Sequence, residues 1–297
     1  MPKILKRTLS LMLISLLIVT VAAVTSLQAV RGSNAALMFT PNYHVNNVDQ
    51  PGEETYSNSV ANMITYYFEN YGSNYGFIYN CEDSSATQSQ YESSLNYAQS
   101  KYYNTVVYSK GHEWTWGGDL NHYELVANNY IQQGDQNGVR DSQNVYPNTG
   151  SSDRFVFLWH CGTAMSYPSW QSTDGLGWTG MPYDFTHDNS MSFNGYASPD
   201  NGVYVFNGFW QASPEYQDLT NYGTNNYGSF VTIFYQYLLQ YHFSVNAALN
   251  AASASTLGYS YFGNAPLYTG IDEYVPGMGY YWSYFYTYGN GNLQIPS

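Results

Sequence analysis

Apolar residues along this chain fall into two alternating patterns. Short apolar runs, Ala36 to Phe39 ahead of Pro41, Gly76 to Tyr79, Thr105 to Tyr108, Arg154 to Trp159 and Val203 to Phe209 with Gly208 inside it, have the length and β-branched or aromatic content of buried strands. Between the first two, Glu53 to Tyr71 sets Val60, Ile64, Tyr67 and Phe68 at helical spacing and stops at Gly72. Ser85 to Tyr102 does the same with Tyr91, Leu95 and Ala98 on one stripe. Strands alternating with helices predict βαβ units around a mostly parallel sheet, an α/β fold. A helical pattern from Ser229 to about Ser255 breaks near His242 to Ser244, and a last strand is expected around Tyr281 to Tyr288. Gly258 to Gly279, rich in Gly and Tyr, reads as an ordered loop region. No internal repeat is visible, and residues 31–297 have the length of one domain.

The amino terminus departs from this pattern. Lys3, Lys6 and Arg7 precede a stretch from Thr8 to Val30 that carries no charge and is almost wholly apolar between Leu9 and Val24. That is the layout of a secretory signal, with Ser26 or Ala29 near the cleavage point, or of an uncleaved anchor that tethers the protein to a membrane through residues 8–30. Either reading makes residues 1–30 a leader and places the rest outside the cytoplasm, secreted or at the cell surface.

Charge narrows the functions open to that domain. The chain of 297 residues has 8 Lys and Arg against 21 Asp and Glu, and 34 Tyr. Beyond residue 30 only Arg31, Lys101, Lys110, Arg140 and Arg154 are basic, so the exported part stands at five against 21, or −16. A nucleic-acid backbone needs clustered cations, and nucleic acid is excluded as a partner. The surface must be built from Asn, Ser, Thr, Gln, Gly and Tyr.

Two strands end in residues that carry chemistry. One runs Val106-Val107-Tyr108-Ser109-Lys110-Gly111-His112, the other Phe155-Val156-Phe157-Leu158-Trp159-His160-Cys161-Gly162-Thr163. In an open parallel sheet the crevice beyond the carboxyl ends of the strands is where ligands bind. If the two strands are neighbours, His112 and Cys161 share one rim. Each has a plainer explanation alone: His112 as a loop histidine, Cys161 as half of a disulfide with Cys81 in an exported protein.

Together these residues resemble the caspase-like cysteine peptidases, in particular the gingipain- and clostripain-like branch. There, one apolar strand ends in a Gly-His or Ser-His motif and a second ends in Cys, about 50 residues later; here the interval from His112 to Cys161 is 49 positions. Thr163-Ala164, the segment Ser244 to Ala252, and Tyr288-Gly289 with Leu293 are similar to the same branch. Glu113 departs from the second Gly often found after the His, and Asn290-Gly291 from the family's Asp-Pro.

The resemblance implies a three-layer αβα sandwich, strand order 2-1-3-4, with no metal and no cofactor. It implies a Cys161 thiolate that attacks a peptide carbonyl, His112 as general acid, and backbone amides around Gly111, Glu113 and Gly162 as the oxyanion hole. In that strand order Cys81 and Cys161 stand three strand spacings apart, roughly 14 Å and beyond disulfide reach. Trp210 and Gln211 would wall the substrate channel, with His187 and Asp188, near Asp184, in a loop that shapes specificity. His160 would point away as a structural or wall residue. The implied partner is a protein or peptide substrate, and the scarcity of cations favours cleavage after Arg or Lys. Two rivals are a catalytically silent member of the fold that binds partners at the cell surface, and a zinc site from His112, His160, His187 and Cys161, which lacks any short-spaced ligand pair.

Overall fold

The first apolar run becomes β1 (Gly32–Pro41), and the chain then continues through α1 (Pro51–Tyr71), β2 (Tyr75–Asp83), α2 (Gln88–Lys101), β3 (Tyr102–Lys110), β4 (Asp153–Trp159), α3 (Met181–Thr186), β5 (Val205–Phe209), α4 (Tyr227–Leu239), α5 (Val245–Thr256), β6 (Thr269–Val275) and β7 (Gly279–Gly289). The computed structural model describes residues 32–42, 44–45, 48–49, 51–115, 123–127, 137–165, 167–168, 178–187, 203–209, 212–220, 224–258, 269–275 and 279–297. Among the described residues no helix is long and apolar enough to cross a membrane; the leader lies outside them.

The seven strands form one sheet in the order β2-β1-β3-β4-β5-β7-β6. The first five are parallel, and β7 and β6 close the far edge antiparallel. The 2-1-3-4 order expected for the first four is therefore present. The region from Gly258 to Gly279 is not loop throughout: β6 lies inside it and pairs with β7 along Thr269 to Val275. Its Gly and Tyr content conceals the strand because no apolar alternation marks it.

Period-two alternation sorts the side chains into two layers. Ala36, Met38, Val106, Tyr108, Phe155, Phe157 and Trp159 face α1, α4 and α5, where Ile64, Phe68, Phe234, Leu238 and Leu249 meet them. Ala35, Leu37, Phe39, Val107, Val156 and Leu158 face α2 and α3, against Tyr91, Leu95, Met181 and Phe185. Both faces being covered, the central strands read as unbroken apolar runs. The result is a three-layer αβα sandwich.

Local signals set the helix limits. Pro51 opens α1, whose first turn carries Glu53 and Glu54, favourable at the positive end of the helix dipole. Thr87, Asn226 and Ser244 cap α2, α4 and α5 by accepting from the amides of Gln90, Ser229 and Ala247. The break between α4 and α5 falls at His242, in left-handed conformation at φ 57°, and Ser244.

Aromatic rings dominate the layer beneath α4. Phe157 lies 5.4 Å from Phe285, 5.7 Å from both Trp159 and Phe234, and 6.2 Å from Tyr235, centroid to centroid. Phe157→Ala opens a cavity that these four rigid neighbours cannot refill, and is expected to cost about 3–5 kcal/mol in a urea titration. A loss below about 1 kcal/mol would show that this layer is not close-packed.

Candidate active site at the ends of two neighbouring strands

β3 and β4 are adjacent, parallel and in register, with Lys110 opposite Trp159. His112 and Cys161 each lie two residues past that pair, so pairing brings the two residues to one rim of the sheet. Gly111 still donates to the Trp159 carbonyl at 3.4 Å.

Beyond β4 the chain turns sharply through Cys161 to Ala164. Gly162 adopts φ 66°, a region costly for a residue with Cβ, and a Cβ there would stand 2.8 Å from the Glu113 carboxyl. The turn is tied down by Ala164 N–H to the Phe209 carbonyl at 2.8 Å, Met165 N–H to the Gly162 carbonyl at 3.0 Å and Thr163 Oγ1 to the His160 carbonyl at 3.1 Å. The Tyr288 hydroxyl donates to the Ala164 carbonyl. Cys161 thus sits on a turn held from β5 and β7.

Two features set the thiol's environment. The Ser213 amide donates to Cys161 Sγ at 3.3 Å, with Ser213 Oγ at 3.6 Å. Burial pushes the Cys161 pKa up and the Glu113 carboxylate pushes it further, against the pull of the Ser213 amide. Burial, aided by the Lys110 charge, lowers His112 to about 3. Burial and the neighbouring Glu124 raise Glu113 to about 8. At neutral pH the resting site therefore holds a thiol, a neutral imidazole and a largely protonated carboxyl rather than a thiolate–imidazolium pair.

His160, beneath the rim, is fully buried. Its Nδ1 lies 2.9 Å from the His112 carbonyl and its Nε2 2.8 Å from Ser109 Oγ, which in turn lies 2.9 Å from the Tyr91 hydroxyl. A carbonyl only accepts, so Nδ1 carries the proton, Nε2 accepts from Ser109, and Ser109 accepts from Tyr91. Burial lowers His160 to about 3, which keeps the ring neutral and this direction fixed. A Cβ on Gly111 would come within 2.9 Å of His160 Cε1, so glycine makes room for the ring.

On the other face of β3, Lys110 Nζ pairs with Glu53 Oε1 at 3.3 Å, both side chains 1% exposed. Lys110 also lies 5.1 Å from the Tyr216 ring centre. Glu53 accepts from the amides of Tyr216 at 2.7 Å and Gln217 at 3.4 Å. Burial drives Glu53 toward its protonated form, and those two amides oppose it. The pair fastens the segment bearing Ser213 to the start of α1 and the end of β3.

The rim therefore unites His112, Cys161, Gly111, Glu113 and Gly162, and adds Ser213, Ser109 and His160. His187 does not join it. Its Nε2 meets Thr149 Oγ1 at 3.1 Å and its ring stacks on Tyr146, where the chain enters β4 rather than leaves it, with β4's seven residues, roughly 20 Å, between. Asp184 is buried in α3 beside the same segment, its carbonyl accepting from Thr149 Oγ1. Trp210, Gln211 and Asp188 lie outside the described residues. His160, expected as a structural or wall residue pointing away from Cys161, is buried and bonded to the backbone of His112. Cys81 and Cys161 are free thiols on β2 and beyond β4, three strands apart. Among the described residues no group of three or more His, Cys, Asp or Glu is placed to hold a metal ion. Sequence reasoning missed the Lys110–Glu53 pair, although a lysine continuing an apolar strand in a chain so poor in cations was a usable signal.

Compared with family models and with curated proteins, the chain finds no match.

Two outcomes are expected. Glu113→Gln removes the negative charge beside Sγ, so the midpoint of Cys161 alkylation against pH shifts down; an unmoved midpoint rejects the electrostatic contact. Lys110→Met strands Glu53 in the core and costs about 3–5 kcal/mol in urea at pH 9. A carboxyl with a raised folded pKa is best tolerated while protonated, so the loss shrinks toward pH 5. A pH-independent loss would contradict an ionised Glu53.

Proposed function

We propose that this protein is a caspase-like cysteine endopeptidase acting through His112 and Cys161, outside the cytoplasm and without a cofactor. The observation that carries the reading is the matched exit of both residues, each two positions past the Lys110–Trp159 pair on adjacent parallel strands. In the reaction the Cys161 thiol proton passes to the neutral His112 imidazole as sulfur attacks the scissile carbonyl carbon. The C–N bond then breaks, the amine leaves with the proton from His112, and a thioester remains. Water attacks the thioester, His112 takes its proton, and the returning proton frees the thiol and the acid product.

A second support comes from the Glu113 amide, the candidate oxyanion donor. Val126 N–H donates to the His112 carbonyl at 2.9 Å, and Glu113 pairs with Leu125 in the short ladder of Glu113–Thr115 with Tyr123–Leu125. Hydrogen-bonded and non-bonded pairs alternate in an antiparallel ladder, so the Glu113 N–H points away from that partner strand. It is left for another acceptor, and replacing glycine by glutamate at this position does not remove it. The net charge of −16 beyond residue 30 and the engagement of Lys110 and Arg140 with Glu53 and Glu124 favour substrates with Arg or Lys before the cleaved bond.

One observation favours the rival, a catalytically silent binding protein of the same fold. The Glu113 carboxyl lies over Gly162 and its charge disfavours the thiolate. The test separates the two. Purified protein should cleave fluorogenic peptides carrying Arg or Lys before the reporter. Cys161→Ala should abolish turnover, and His112→Ala should lower kcat/KM by about 10²–10⁴-fold. Turnover that survives Cys161→Ala, or a native Cys161 that neither cleaves peptides nor reacts with iodoacetamide, rejects the peptidase.

A further inference from the structure

We infer that His160 is a positioning residue for the reaction: through its Nδ1–H it holds the His112–Glu113 peptide so that the Glu113 N–H is aimed to receive the developing oxyanion. The inference rests on the peptidase reading above and assigns His160 a task that reading does not need.

The geometry is closed at every link. The His112 carbonyl has two lone pairs and two donors, Val126 N–H and His160 Nδ1–H, each at 2.9 Å. A trans peptide is planar, and no cis bond occurs among the described residues, so fixing that carbonyl fixes the direction of the Glu113 N–H, which points the opposite way. The donor on His160 is itself fixed. The His112 carbonyl can only accept, so the proton sits on Nδ1; a neutral ring then accepts at Nε2 from Ser109, whose oxygen can accept from Tyr91. A free imidazole would exchange tautomers; this one is held in one by the His112 carbonyl, with a serine on β3 and a tyrosine on α2 completing the chain at Nε2. The ring precedes Cys161 directly, so one side chain ties the backbone that carries the nucleophile to the backbone that carries the acid and the oxyanion donor. Buried, neutral and away from solvent, it has no route to proton exchange with substrate, and its effect passes through the peptide it holds.

Oxyanion stabilisation matters for attack on a carbonyl but not for alkylation by iodoacetamide, where no oxyanion forms. His160→Leu should therefore lower kcat on a peptide substrate by about 10²–10³-fold with KM changed less than about threefold. The rate of Cys161 alkylation by iodoacetamide should stay near the wild-type value. His160→Asn, whose amide N–H can stand where Nδ1–H stood, should recover kcat to within about tenfold of wild type. Should His160→Leu fail to fold, Ser109→Ala keeps the ring but removes the hydroxyl that anchors its Nε2, and should lower kcat about tenfold with alkylation unchanged. Unchanged kcat in these variants overturns the inference, as does a parallel fall of kcat, alkylation rate and melting temperature, which marks a structural role alone. Wild-type protein without Cys161-dependent cleavage overturns the peptidase reading and takes this inference with it.

Discussion

β3 and β4 lie side by side with Lys110 opposite Trp159, and that register governs the placement of every reactive group at the rim. A slip of one residue would turn Phe155, Phe157 and Trp159 away from the aromatic layer under α4 and send Val156 and Leu158 into it. It would also move Cys161 out of step with His112. Both faces of these strands are buried, so the register that packs the core is the one that matches the two strand ends. Core packing and site assembly are one constraint.

The same alternation divides the polar groups beyond the apolar residues between the layers. Lys110 continues the face of Tyr108 and reaches Glu53 at the head of α1, while Ser109 continues the face of Val107 and meets Tyr91 and His160. Lys110, Ser109 and His160, buried at the carboxyl ends of β3 and β4, are thereby each given a partner within reach, which a low-dielectric interior requires. The first arrangement braces the segment from Ser213 to Gln217 against the sheet; the second ties the two loop ends together. The thiol lies between the braced segment and the turn at Gly162.

This site is quiet at rest. Burial keeps the thiol protonated and both nearby histidines neutral, so the proposed reaction would draw on transfer of the thiol proton to His112 once substrate is bound rather than on a standing ion pair. Glu113 would act as a brake on that reaction, since ionisation of its carboxyl places a negative charge beside the Cys161 thiol. A glycine in this place would remove the brake while leaving the same backbone amide.

Much of this architecture was legible in the sequence. The alternation of apolar runs with helical stripes predicted the strands, the helices and the αβα layers, because burial on both faces demands continuous apolar strands and amphipathic covers. That the segments ending in His112 and Cys161 form neighbouring strands was legible from their matched ends. What sequence could not supply were contacts between residues far apart in the chain: Lys110 with Glu53, Ser213 with Cys161, Tyr91 with Ser109 and His160, and β6 with β7. These depend on which strands become neighbours and in what register, and no local propensity encodes either. His187 shows the same limit from the other side, since nearness to the nucleophile in sequence says nothing of which end of β4 the chain returns to. Apolar periodicity is a local property that each segment carries with it. The direction of the proton on His160 and the environment of the thiol exist only once five distant segments are packed together, because burial and hydrogen-bond partners are properties of the assembled fold.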